Sequence, residues 1–178
     1  MRRGVILLLM VVLLTACGSS SKGLSTDDLA IVRVNDEKQI VSYGMSRALA
    51  EKVLGEGKED DVTHFFRYEN GVTIFYRDNA VVFIYMGEDS KGVYKTVQGA
   101  EINMNQDDLK KIYGENNFIE HKGKVSAYLY DSINKKYLAD LEVNSEERDK
   151  FYEIVFSYES GEVKAIGLAD HKAAVGGK

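Results

Sequence analysis

The chain has no proline and no tryptophan, and a single cysteine in 178 residues. The lack of proline excludes a Pro-rich stalk or a polyproline ligand. One cysteine cannot close an internal disulfide, and it leaves no cysteine cluster for zinc or an iron–sulfur centre. Histidine is also scarce, with only His64, His121 and His171. None stands in an H-x-x-x-H or H-E-x-x-H spacing, so no metal site is expected and the three read as solitary surface or strand-edge residues. The formal net charge is −5, and lysine and arginine are scattered without a basic stripe. Nucleic acid is therefore not an expected partner. No G-x-G-x-x-G, P-loop or G-x-S-x-G motif is present, and no cofactor is implied.

One long apolar run exists, Val5 to Leu14, behind Arg2 and Arg3. It is far shorter than the about 20 residues that a bilayer span needs. A basic start, a short apolar stretch and small residues after it make the pattern of a signal peptide. Leu14-Thr15-Ala16-Cys17 resembles a bacterial lipobox. The resemblance implies cleavage before Cys17, which then carries diacylglycerol on its sulfur and becomes the first residue of the working chain. Several acyl chains hold a protein on a bilayer far better than one does. The expectation is a signal peptide over 1–16, a lipidated Cys17 with a flexible tether over 17–29, and an extracytoplasmic, membrane-anchored body.

Apolar residues make up 44% of the chain, enough for one ordinary domain or two small joined units. The run Ala30 to Asn35 reads as a first strand. "SRALAEKVLG" has a capping Ser46, apolar Ala48, Leu49, Val53 and Leu54, and a stop at Gly55. "NQDDLKKIYG" repeats that logic with Asn105, then Leu109, Ile112 and Tyr113, then Gly114. Asp107 and Asp108 suit the first turn of that helix. Gly44–Glu56 and Asn103–Glu115 align without gaps, which reads as an internal repeat.

Strands follow each helix. Asn70-Gly71, Arg77-Asp78-Asn79 and Ser160-Gly161 are turn signals between alternating apolar segments. The fold class expected is α+β, with two short helix-plus-antiparallel-sheet units over 30–90 and 91–172 and a flexible tail over 173–178. The run "G-M-S/N-x-x-x-L/A-x-K-V/I-L/Y-G" and the strand pattern resemble the small helix-plus-sheet modules of outer-membrane assembly lipoproteins. They also resemble the tandem modules of the β-lactamase inhibitory protein. The resemblance implies a fold and carries over no partner.

The acidic pairs Asp27-Asp28, Asp60-Asp61 and Asp107-Asp108 lack the spaced oxygen ligands of a tight calcium loop and read as solvated or capping groups. Tyrosine is abundant, with 11 copies. Tyr128, Tyr130, Tyr68 and Tyr76 are candidates for a partner surface on an open sheet face, against the alternative that they line the rim of an ordinary core. With no catalyst legible, the leading expectation is a non-enzymatic, lipid-anchored protein-binding or scaffold module with an envelope protein partner. The alternatives are an envelope hydrolase with a site assembled from separated Asp, Glu and His, and a small extracellular solute-binding lipoprotein. Replacing Cys17 with Ser is expected to move the protein from the membrane to the soluble fraction on cell fractionation. A variant that stays fully membrane-bound would remove the anchor.

Overall fold

The structure, a computed structural model, describes residues 23–176; Cys17 and the run before it lie outside them. The described chain is α+β. β1 (Ala30–Arg33) and β2 (Asp36–Ser42) form a hairpin, followed by α1 (Arg47–Leu54). The short β3 (Lys58–Glu59) and β4 (Phe66–Arg67) lead to the long hairpin of β5 (Val72–Arg77) and β6 (Ala80–Met86). Next come β7 (Tyr94–Thr96) and α2 (Gln106–Tyr113). β8 (Ile119–His121), β9 (Val125–Asp131) and β10 (Lys136–Tyr137) follow. The last hairpin pairs β11 (Phe151–Glu159) with β12 (Glu162–Asp170), and α3 (His171–Ala174) closes the described chain.

The strands make two antiparallel sheets. The small one has the order β2-β1-β7. The large one runs β10-β9-β11-β12-β6-β5-β4-β3, with β8 also on β9. Register sets one row straight across the large sheet: Tyr128, Ile154, Leu168, Ile84, Ile74 and Phe66 are successive cross-strand neighbours. All six are buried and share one core with Ile31 and Val41 of the small sheet, Ala50 and Leu54 of α1, and Leu109 of α2. Each large apolar side chain so buried stabilises the fold by roughly 1.5–3 kcal/mol.

The two helices form where the spacing predicts them, and both stop at a glycine with positive φ, Gly55 at 87° and Gly114 at 89°. Their starts differ. The side chain of Asn105 accepts from the Asp108 amide at 3.0 Å, whereas the Ser46 side chain makes no capping bond. The likeness between the helices extends to what they touch. The Val81 amide donates to Met45 O at 2.9 Å, and the Gly44 amide donates to Val81 O at 2.7 Å. The Val163 amide donates to Met104 O at 2.8 Å, and the Asn103 amide donates to Val163 O at 2.8 Å. Each helix is thus stapled to the second strand of a hairpin by the same pair of bonds. Both hairpins turn through two residues of positive φ, Asp78-Asn79 and Ser160-Gly161. That backbone fits the twist of a two-residue hairpin loop. Both also carry a register shift beside a tyrosine opposite a valine, Tyr76 with Val81 and Tyr158 with Val163.

The recurrence is local, and the expected division into two tandem units does not appear. β1 lies before the expected boundary and pairs with β7 after it, and β6 and β12 are neighbours in one sheet. Backbone pairing across the boundary ties both halves into shared sheets. The expected tether is also shorter than 17–29. Leu24 and Leu29 are buried, and Ser25 and Asp28 bond reciprocally around the turn Thr26–Asp28. Gly23 packs so close to the Tyr130 ring that a Cβ there would overlap it. At the other end, Ala173 and Ala174 belong to α3 instead of to a tail.

Asp170 fixes that last turn. It is fully buried at the end of β12. The Arg77 guanidinium donates to it twice, at 2.9 and 3.2 Å. The Tyr43 hydroxyl donates at 2.8 Å, and the Ala173 amide, capped by the same carboxylate, donates at 2.8 Å. Removing one partner of a buried pair leaves the other charge uncompensated. Asp170→Ala is expected to cost about 3–5 kcal/mol in urea unfolding, and Asp170→Asn, which keeps a cap, is expected to cost less.

Candidate functional site

The large sheet has two faces, and β12 differs sharply between them. Ile166 and Leu168 point into the core. Ala165, Gly167 and Ala169 alternate with them and lie on the opposite, outer face. On either side of this row the neighbours are larger. β11 contributes Val155 and Ser157, and β6 contributes Phe83 and Tyr85. A row of small side chains between two rows of larger ones makes a groove one strand wide.

The flanks of the outer face are covered. On one side Leu129 and Phe151 are packed under Val143, Leu138 and Leu141. On the other, Phe65 lies on Phe75 and Phe83, with ring centroids 5.2 and 5.5 Å apart. Between them Gly167 stays partly exposed, while Ala165 and Ala169 are buried among their larger neighbours. The resulting groove has a volume of about 370 Å³, and Ala174 and Val175 close one end. Tyr85 and Val175 stand exposed at its rim. Its size falls in the range of small-molecule sites.

One polar pair enters this apolar lining. Glu153 and His171 are 4% and 5% exposed, and Nδ1 of His171 lies 2.8 Å from Oε2 of Glu153. Glu153 is the outward residue of β11 opposite Ala169, and His171 is the first residue of α3. A carboxylate can only accept, so Nδ1 carries the hydrogen of this bond. Adjacent residues therefore serve opposite faces. Asp170 turns inward to Arg77 and Tyr43, and His171 turns outward to Glu153.

Burial and the Asp170 carboxylate set the inner cluster. Burial raises the Tyr43 phenol above its ordinary pKa, and the hydrogen bond to Asp170 adds to this. For Arg77, burial acts to lower the pKa, but the bonds and charge of Asp170 outweigh it and the net direction is upward. Arg77 Nε is the one buried side-chain polar atom without a partner among the described residues. Among those residues no group of three or more His, Cys, Asp or Glu could hold a metal.

The tyrosines expected on an open face line the core instead. Tyr128 is fully buried, and its hydroxyl donates to Gly114 O at 2.7 Å. Tyr130 is buried against Tyr137, with centroids 5.0 Å apart. Tyr68 is buried and Tyr76 partly buried, with their hydroxyls 2.6 Å apart. Alternation had grouped Tyr128 and Tyr130 on one face correctly, but the helices and the small sheet cover that face. His64 and His121 are exposed, as expected of solitary histidines, whereas His171 is buried. Asp60 makes a loop turn with Val62 and Thr63 and pairs with Arg67, and Asp108 pairs with Lys111.

No family model, curated protein or solved structure matches this chain.

The groove was not among the sequence expectations, though a signal for it exists. "AIGLA" (165–169) alternates small with large, an unusual pattern for a central strand whose two faces are otherwise filled. Truncating Tyr128 separates the two placements of the tyrosines. Tyr128→Ala is expected to cost about 3–5 kcal/mol on denaturant unfolding, as for other buried aromatics. A partner-facing tyrosine would change stability by no more than about 0.5 kcal/mol.

Proposed function

We propose that this chain is a lipid-anchored extracytoplasmic binding protein whose cargo is a small, mainly apolar molecule held in the groove over β12. One observation carries the reading: an apolar groove over the small residues Ala165, Gly167 and Ala169, between Phe83 and Tyr85 on one side and Val155 on the other. An apolar surface of this kind in the middle of a sheet is usually covered by protein or ligand. Here the flanks are covered, and Gly167 in the middle stays partly exposed. The anchor rests on the lipobox at Cys17. No helix among the described residues is long and apolar enough to cross a membrane. A role as a protein-binding scaffold has less support, because the tyrosines that would have formed its surface lie inside.

The Glu153–His171 pair favours a second reading, a hydrolase in which the pair activates water. Ser157 lines the same groove but sits four residues along β11 from Glu153, about 13 Å at the usual strand rise. It is out of reach as a nucleophile, so any hydrolysis would proceed through water.

Gly167 offers the decisive substitution. A Cβ there meets the Phe83 ring at 3.8 Å, an ordinary contact, so a side chain can be added without displacing the backbone. The full chain in phosphatidylcholine vesicles is expected to bind N-phenyl-1-naphthylamine beyond the vesicle-only signal, with at least tenfold weaker binding in Gly167→Leu. Equal binding by both proteins, or none by either, would remove the groove as a ligand site. Release of naphthol from a naphthyl ester, lost in Glu153→Gln, would favour the hydrolase.

A further inference from the structure

Resting on the groove reading, the geometry points to a ligand class: a linear amphiphile whose head donates hydrogen bonds and bears no negative charge, such as a primary ammonium or a hydroxyl. The head would sit on Glu153 and His171, with the chain laid along Ala169, Gly167 and Ala165.

The head is defined by two atoms. Glu153 and His171 are each more than nine-tenths buried, and they bond to each other through Oε2 and Nδ1 alone. Glu153 Oε1 and His171 Nε2 meet no hydrogen-bond partner among the described residues, and neither is sealed from access as Arg77 Nε is. Both side chains line the groove. A ligand head that donates to the carboxylate inside the groove gains a charge-assisted hydrogen bond. The Glu153 carboxylate accepts Nδ1–H of His171 and keeps acceptor capacity for a further donor. The site then offers the acceptor oxygens and the charge of one carboxylate. A donor head fits it. A carboxylate or phosphate head would bring a second negative charge beside Glu153, and like charges repel.

The body is defined by the strands. β11 and β6 flank β12 at about 4.8 Å on each side, so the slot is a single strand wide. Its floor from Ala165 to Ala169 is about 13 Å long at the usual rise. A slot this narrow and this long admits an extended alkyl chain and excludes a broad fused-ring slab. The polar pair lies at the Ala169 end, across from that residue on β11 and at the start of α3. The opposite end runs past Ser157 and Ala165 into an open region bordered by Arg67, Glu69, Glu88 and Lys164. The chain would enter with its head leading, and its tail would end near that mouth.

The test is competition against N-phenyl-1-naphthylamine on the full chain in vesicles, with free concentrations taken from vesicle-only partitioning. Decylamine, 1-decanol and decanoate are the competitors. Decylamine and decanol are expected to displace the probe at concentrations at least tenfold below decanoate. In Glu153→Gln the advantage of decylamine over decanoate is expected to shrink at least tenfold. The ratio is read within each variant, so a general loss of affinity does not count. Should Glu153→Gln fail to fold, the wild-type ranking alone still decides. Decanoate competing as well as the other two would overturn the ligand class while leaving the groove intact, as would an unchanged ratio in a folded Glu153→Gln. Failure to bind the naphthylamine at all would overturn the groove reading, and the ligand class with it.

Discussion

The Asp170 carboxylate is the junction on which the rest of the architecture depends. It is buried where three separate segments end: Tyr43 after β2, Arg77 at the close of β5, and β12 itself. A lone carboxylate in that position would be prohibitively costly to desolvate. Four donated hydrogen bonds remove the difficulty and, in doing so, fix where those segments lie. The bond from the Ala173 amide also starts α3, which swings His171 over the outer face. The inner cluster thus positions one wall of the groove without touching its contents. Stability and site geometry share a single residue, so damage at Asp170 reaches both.

The sheet joins what the chain order separates. α1 and α2 are each stapled to a hairpin by the same two backbone bonds, yet the hairpins sit side by side in one large sheet. Pairing β6 with β12 places the two repeated motifs edge to edge and merges their apolar faces into one core. The same pairing creates the groove, because its walls come from β6 and β11 and its floor from β12. Neither hairpin alone has the three rows needed.

Much of the fold was legible in the sequence where the determinants are local. Helix limits at Arg47–Leu54 and Gln106–Tyr113 follow from caps, spacing and terminal glycines, and the turns at Asp78-Asn79 and Ser160-Gly161 follow from residue types that tolerate positive φ. Sheet order was not legible. Pairing β1 with β7 joins segments separated by a helix and five strands, and nothing in either segment names its partner. The tyrosines show the same limit. A period of two assigns residues to a face but does not say which face is covered. Glu153 and His171 were out of reach for a further reason: their pairing depends on a helix of one turn, started by a carboxylate whose own partners come from Tyr43 and Arg77. The groove floor was the missed opportunity, since its alternation is written in five consecutive residues.

That alternation divides labour along a single strand. Ile166 and Leu168 hold the core, and Ala165, Gly167 and Ala169 alternate with them as the floor of the groove. A mutation at Gly167 that adds one or two carbons narrows the slot from the outer face, where a Cβ makes only an ordinary contact with Phe83. The width of the groove can therefore change in small steps while the core on the other face keeps its packing. The strand acts as an adjustable ruler laid on a fixed bench.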